Sequence, residues 1–476
     1  MNLDPDTCYQ GLLARDARFD GVFYVGVSST GIYCRPVCPA RVPRRDRCTF
    51  YADPATAEAA GFRACLRCRP ERAPGNAPVD AVSRLVRRAV ARIESGALND
   101  GSLDALAASL GVTARHLRRS FEAELGTSPT RYAATRRLAL ARHRLADTRL
   151  PIGDVAAAAG FGSVRRFQDA VRTAVGRSAS DLRRGAASAP AELRVTLDTR
   201  PPFDGPGAFA FVASRAIPGV EAVTDGVYRR TVAFGDRVGV VTVALAGPRR
   251  VTVGLSLAVA PMLPQVVARV RRLLDLDAHP DAVAAVLGAD PTLRDAVARN
   301  PGLRVPGAFE PFELAIRAIL GQQVSVKGAT TLAGRLVAAF GTPVEVGDPA
   351  LTALFPSPHR LAEAPIDAVR AIGMPEARAR TIVAVARAVA DERVDLGPGA
   401  DPAEVAAALV AIPGIGPWTA EYVAMRGLGW PDAFPAGDLV LRKVLGVTRD
   451  RDAIARAEPW RPWRSYAVLH LWTSGT

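Results

Sequence analysis

Cysteine is absent beyond residue 68 of this 476-residue chain, and lysine occurs only at positions 327 and 443. The first absence excludes a disulfide framework spanning the chain, so any thiol chemistry must be local. The second follows as readily from codon bias as from function. No apolar stretch reaches about 18 residues without a charge or a helix breaker, which excludes a spanning helix. The opening residues, MNLDPDTCYQ, lack a basic stretch followed by an apolar run, so no secretory leader is expected. Acidic residues are scarce at the front: residues 1–190 hold 30 basic against 18 acidic side chains, and the remainder is nearly balanced at 31 against 29. Together these point to a cytoplasmic protein in a reducing compartment. Its basic front calls for a polyanion partner, nucleic acid and not membrane, because no basic amphipathic helix with an aromatic face accompanies it.

The length suits three or four domains, each burying its own core. All six cysteines lie between Cys8 and Cys68, and four form two close pairs, Cys34 with Cys38 and, after 26 intervening residues, Cys65 with Cys68. Two pairs separated by a loop bring four sulfurs to the corners of one tetrahedron, the geometry Zn2+ accepts most readily. The spacing therefore predicts one zinc ion on Cys34, Cys38, Cys65 and Cys68, and on its own favours a purely structural knuckle. Cys8 and Cys48 read as ordinary thiols.

The flanks, FDGVFYVGVSSTGIYCRPVCPAR (Phe19 to Arg41) and FYADPATAEAAGFRACLRCRP (Phe50 to Pro70), closely resemble the N-terminal domain of the Ada methylation-response family. The resemblance covers nearly all of the first 72 residues and implies a small α/β zinc domain at 1–74. It also implies that Cys34 is both zinc ligand and acceptor of a methyl group from DNA methylphosphotriesters. Zinc keeps a thiolate deprotonated at neutral pH, so the sulfur stays nucleophilic without a separate base. Methylation would remove one negative charge from the centre. With Arg35, Arg41, Arg44, Arg45 and Arg47 nearby, the lost repulsion should tighten DNA binding and make the modification an irreversible switch.

Pro70 to Pro78 has linker composition, and a helical pattern runs from Val79 to about Ser95. Two similar patterns follow, Ser102 to Tyr132 and Pro151 to Leu182. Each has an Ala-rich helix, a turn glycine (Gly111, Gly160) and a second helix with Phe121 or Phe167 in core phase, which is helix-turn-helix geometry. The pair resembles the AraC-type DNA-binding domain, the order also found after the zinc domain in Ada. This implies an all-α domain at 79–184 with recognition helices at Thr113–Glu124 and Ser163–Ala174. His116, Arg118, Arg119, Arg165 and Arg166 become candidates for phosphate and base contacts; each alone reads as a solvated surface group.

Gly185 to Pro190 reads as a second linker. Beyond it come a strand, a short helix, three alternating strands (Gly226–Phe234, Val238–Leu245, Arg250–Ser256) and an amphipathic helix from Met262 to Leu274. From about Pro280 the pattern is almost wholly helical. Within it, two helices frame the turn Pro413 to Gly416, where Gly414 and Gly416 leave the backbone bare enough for amides and a helix N-terminus to meet a DNA phosphate. Asp438 opens a later helix and is a good N-cap.

This stretch closely resembles the helix-hairpin-helix DNA glycosylases, and its flanks resemble the AlkA-type 3-methyladenine DNA glycosylase II. The resemblance implies an α+β antiparallel-sheet subdomain at 191–278 and an all-α helix-hairpin-helix domain at 279–476. It makes Asp438 the catalytic carboxylate and Trp418, Tyr422 and Trp472 the lining of a base pocket. It places Gln323 where a wedge fills the gap left by an extruded nucleotide; a Leu is common there, so Gln323 departs from the usual form. An aromatic box suits a cationic alkylated purine, which is also a good leaving group, so the site needs no strong general acid. Bifunctional members of the superfamily carry a lysine at the position of Trp418, so a monofunctional enzyme needing no cofactor for this step is implied.

The whole reads as a mainly α, multidomain protein: a zinc-thiolate methyl sensor, a transcription activator that would engage RNA polymerase, and a repair glycosylase acting on double-stranded DNA. The alternative is a methylation-responsive regulator whose glycosylase half only grips DNA.

Overall fold

The computed structural model describes residues 4–75, 84–99, 101–147, 151–176, 178–182 and 192–474. The linker expected at 185–190 and the helix start at Val79 lie outside these residues. The chain forms two compact units, Met1–Pro201 with Arg249–Ala268, and Pro202–Pro248 with Arg269–Thr476.

In the first unit a four-stranded sheet carries the cysteines. Tyr24–Val27 lies at its centre, antiparallel to Ile32–Cys34 on one side and Cys48–Tyr51 on the other. Arg63–Ala64 runs parallel to Ile32–Cys34, with Ile32 opposite Arg63. Two neighbouring strands that run the same way release their chains at the same edge, so Cys34 and Cys65 emerge side by side. The Cys65 amide donates to the Tyr33 carbonyl at 3.0 Å.

The two helix-turn-helix units of this half follow the expected pattern closely. Leu103–Ser109 leads through Gly111 to Ala114–Leu125, and Ile152–Ala158 leads through Gly160 to Val164–Val175. Gly111 and Gly160 have φ of 73° and 74°, a left-handed conformation that costs a glycine nothing. Thr113 and Ser163 cap the second helices through their side chains. Leu117 and Phe121 in one unit, and Phe167 and Val171 in the other, are fully buried. A 19-residue helix, Pro129–Asp147, joins them. Glu192–Asp198 and Arg250–Ser256 also belong to this unit and pair antiparallel, Val195 opposite Val253.

The second unit opens with the helix Gly205–Ala213 and a meander of strands, Glu221–Thr224, Val227–Phe234 and Arg237–Leu245. The first of these strands was not expected. Its four residues, EAVT, are too few to show alternation, and pairing with Val227–Arg230 defines it. Likewise the helix expected from Met262 begins as a 3-10 turn over Leu257–Met262, which contains Pro261, and becomes α-helical only from Leu263 to Leu273.

The remainder of the second unit is a helical core. Pro311–Leu320, Val326–Phe340, Glu376–Ala390, Pro402–Val410 and Pro417–Gly427 interlock through Ile316, Leu336, Ile382, Leu409 and Val423. Trp460 and Trp463 lie in the core, whereas Trp430 is only half-buried.

Candidate active site

The helical hairpin is built around its turn. Gly414 has φ of 89°, and a Cβ added there would stand 2.0 Å from the hydroxyl oxygen of Thr381, so only glycine fits. Thr381 in turn donates to the Pro413 carbonyl at 3.1 Å. Gly416 is different: its backbone is extended, and a Cβ would meet nothing within 4 Å. Its conformation therefore does not demand a glycine, and the missing side chain leaves the backbone bare there. The helix it opens, Pro417–Gly427, has no side-chain cap, so its first amides are free for an anion.

That helix projects Trp418 and Tyr422 one turn apart. Their rings stack with centroids 5.3 Å apart and planes 14° from parallel, and Trp472, from the helix Arg464–Ser474, lies 6.4 Å from Tyr422. All three are half-buried. Asp438 sits among them. Its Oδ1 accepts from the Trp472 indole N–H at 3.1 Å and from the Leu441 amide at 3.0 Å, and its Oδ2 accepts from the Trp418 indole N–H at 3.1 Å. Asp438 is therefore the N-cap of its helix and more. A carboxylate has about four acceptor positions. Three are taken, which leaves one, on Oδ2.

Behind the ring of Tyr422 lies positive charge. Arg426 donates to the Tyr422 hydroxyl and is itself anchored on the Pro306 and Gly307 carbonyls. Burial pushes the Tyr422 phenol up, but the guanidinium groups of Arg426 and Arg215 outweigh it, and the pKa stands below its ordinary value.

Gln323 is exposed at the tip of the break between Pro311–Leu320 and Val326–Phe340, and its φ of 59° is left-handed. For a non-glycine residue this costs roughly 1–2 kcal/mol. The loop is held from below: the Gln322 side chain donates to the Gly414 carbonyl and the Thr419 hydroxyl, both at 3.1 Å, and Arg378 donates to the Gln322 carbonyl at 2.6 Å. Val324 and Val326 beside it are exposed. Sequence reasoning passed over Leu439, which is 77 % exposed immediately after Asp438; an apolar first residue on a helix was the available signal.

In the other unit the four sulfurs of Cys34, Cys38, Cys65 and Cys68 lie within 4.8 Å of one another, with Cys38 and Cys65 3.9 Å apart. Zinc–sulfur bonds of about 2.3 Å require about 3.8 Å along each tetrahedral edge, so the quartet fits the ion. Hydrogen bonding, headed by Cys38, pushes the Cys34 thiol up, and contacts headed by Cys34 do the same to Cys68, while Cys38 and Cys65 are lowered. Four thiolates this close need a cation. Cys34, Cys38 and Cys65 line a cavity of about 390 Å³ with apolar walls at Leu12, Val25 and Val42 and arginines at Arg41, Arg63 and Arg67. Cys8 and Cys48 are buried outside the quartet, and no cysteine is in a disulfide.

One sequence expectation fails here. Arg35 does not belong to the exposed basic surface: it is 3 % exposed and points inward, because two buried carboxylates, Asp20 and Asp198, hold its guanidinium. Arg41, Arg44 and Arg47 are exposed, and Arg45 is partly engaged by Asp6. On the recognition helices His116, Arg118, Arg119, Arg165 and Arg166 are all exposed in the first half of their helix. None has a carboxylate partner among the described residues; Arg119 approaches only His116, at 3.5 Å. No helix among the described residues is long and apolar enough to cross a membrane.

Hairpin, aromatic cluster, buttressed carboxylate, four-thiolate centre and paired helix-turn-helix units define a class, a DNA-repair glycosylase fused to a metal-thiolate and DNA-binding front. Family comparison agrees along the chain. Residues 7–71 match the metal-binding domain of Ada, 106–185 a helix-turn-helix domain, 194–310 the AlkA N-terminal domain, and 316–458 the HhH-GPD superfamily of base excision DNA repair proteins. A probable bifunctional transcriptional activator/DNA repair enzyme AlkA of Mycobacterium tuberculosis is 46% identical, covering 100% of this chain and 97% of that one. The chain belongs to this family of bifunctional transcriptional activator/DNA repair enzymes. DNA-3-methyladenine glycosylase 2 of Escherichia coli is 38% identical over 58% of this chain and 96% of its own. In structure, the 3-methyladenine DNA-glycosylase of Archaeoglobus fulgidus shares the fold, with a TM-score of 0.50 at 22% identity over 59% of this chain and 97% of that one.

Proposed function

We propose that the second unit hydrolyses the N-glycosidic bond of 3-methyladenine and related alkylated purines in duplex DNA, with Asp438 as the catalytic carboxylate. The observation that carries this is the free acceptor position on Oδ2, in a carboxylate otherwise locked by two indoles of the aromatic cluster. The extruded cationic purine stacks against Trp418, Tyr422 and Trp472. As the bond to C1′ breaks, its electron pair leaves with the base and neutralises it. The developing oxocarbenium ion faces Asp438, and water adds to C1′, giving up a proton. Trp418 stands at the position where bifunctional members of the superfamily carry a lysine, so the step proceeds without a Schiff base and without a cofactor. Gln323 fills the space vacated in the duplex, and the amides after Gly416 hold a phosphate.

The first unit acts as the sensor. Cys34 attacks the methyl carbon of a methylphosphotriester in the cavity bordered by Arg41, Arg63 and Arg67. A C–S bond forms, the C–O bond breaks, and the phosphate departs as an ordinary diester anion. A zinc ion held by Cys34, Cys38, Cys65 and Cys68 would keep the sulfurs ionised. The paired helix-turn-helix units then hold a promoter through Arg118, Arg119, Arg165, Arg166 and His116 and present the protein to RNA polymerase, in a cytoplasm that keeps the thiols reduced.

Incubation with methylated duplex DNA tests the reading. Free 3-methyladenine should appear while the strands stay whole and break only on alkali treatment; absence of free base would leave a DNA clamp. A finer test is Trp472→Phe. Phenylalanine keeps a ring against the base but deletes one hydrogen bond to a charged acceptor, worth about 1.5–3 kcal/mol, so excision should slow by roughly ten- to a hundredfold. A wild-type rate would show that the indole serves the pocket and not the carboxylate.

A further inference from the structure

The centre bearing Cys34 is backed by a buried charge cluster with a member far away in sequence. Arg35, the residue after the acceptor, gives its amide to the Cys68 sulfur at 3.4 Å and its guanidinium to the Cys68 carbonyl at 3.0 Å. The same guanidinium meets Asp20, through Nε at 2.8 Å, and Asp198 at 2.9 Å. Asp20 is fully buried, Arg35 and Asp198 nearly so. Asp198 also faces Arg72 and Arg250, and Asp20 faces Arg249. Arg200 closes the cluster, donating to the carbonyls of Asp20 and Gly75. Asp198 ends the strand Glu192–Asp198, within the part that matches the AlkA N-terminal domain and outside the part that matches the Ada metal-binding domain.

We propose that Asp198 is a positioning residue of the methyl-acceptor centre: by fixing Arg35 it sets the peptide that follows Cys34 and the amide hydrogen bond to the Cys68 sulfur. The inference rests on Cys34 being the acceptor. Without the carboxylate at 198, a buried guanidinium loses one of its two anionic partners, an arrangement that does not persist unrelaxed. Arg35 then shifts, and the amide-to-sulfur contact shifts with it. A less neutralised cation beside the thiolates also lowers their nucleophilicity. Both effects slow methyl transfer, and neither touches the aromatic site. On this reading the sensor is not self-contained: a strand from the repair half completes it, much as second-layer carboxylates orient metal ligands elsewhere.

The test uses the full-length chain carrying Asp198→Asn. With DNA bearing methylphosphotriesters, single-turnover methylation of Cys34, followed by mass spectrometry, should fall about tenfold per metal-loaded molecule. Bound zinc should remain at the wild-type level, and 3-methyladenine release should be unaltered. In protein loaded with Co2+, the thiolate-to-metal absorption should move, a change that mere loss of packing would not produce. A wild-type methylation rate together with an unmoved band overturns the proposal. If Asp198→Asn does not fold, Asp198→Glu decides, since it keeps the charge but displaces the carboxylate: slowed methylation supports the proposal and wild-type behaviour overturns it. If wild-type protein itself takes up no methyl on Cys34, the acceptor reading fails. The cobalt band of the variants still decides whether Asp198 governs the sulfurs, a shifted band supporting that role and an unshifted one overturning it.

Discussion

Asp438→Asn should reduce 3-methyladenine release by about a thousandfold while leaving a folded protein that still binds DNA. Asparagine is as good an N-cap as aspartate, so the helix Leu439–Leu445 survives the change. The proposed catalytic constellation does not. One of the two oxygens becomes an NH2, which meets an indole N–H donor to donor, and the negative charge facing C1′ disappears. At about 4 Å and an effective dielectric of about 20, that charge is worth about 4 kcal/mol to an oxocarbenium ion, close to a factor of 1,000. Single-turnover excision kinetics measure the rate, and circular dichroism with DNA affinity measures the rest. Equal rates for variant and wild type would remove Asp438 from the mechanism and return the second unit to the role of a clamp.

Cys34→Ala is expected to abolish the single-methyl adduct that mass spectrometry should find after incubation with methylated DNA, with no adduct moving to Cys38, Cys65 or Cys68. Cys34 is the most exposed of the four, if only at 9 %, and it borders the cavity through which the proposed substrate phosphate would approach. Three ligands remain, so metal affinity should drop as well, whereas base excision should be untouched. The charge-switch idea is tested beside it. Methylated wild type should bind its operator several-fold more tightly at moderate salt, and the gain should shrink as salt rises. Because Arg35 is buried, that gain has to act through Arg41, Arg44 and Arg47. Unchanged operator affinity after methylation would sink the switch while leaving the sensor.

What could be read in advance divides by distance along the chain. The paired helix-turn-helix units and the hairpin turn were legible because capping residues, glycines and apolar spacing are local signals. The cysteine quartet was legible because metal ligation imposes its own spacing. What escaped were relations between residues brought together only by folding. Asp438 could be read as a cap from its neighbours, but not as the acceptor of two indoles 20 and 34 positions away. Arg35 looked like surface charge among other arginines; Asp198, 163 positions on, makes it a buried one. Composition likewise could not show that Tyr422 backs onto Arg426 and Arg215. The strand Glu221–Thr224 was missed for the same reason on a smaller scale, since its partner and not its sequence makes it a strand.

The amide of Gln322 has a mechanical consequence. By tying the loop beneath Gln323 to the hairpin turn, it would, on the roles proposed for Gln323 and for the amides after Gly416, set the gap between a probing tip and a phosphate-gripping backbone before any duplex arrives. A caliper with locked jaws does not adapt to what it measures. On that proposal undamaged, well-stacked DNA would have to bend to fit such a gauge, and a weakened step bends more cheaply, so part of the search for lesions would be carried out by the stiffness of the DNA itself.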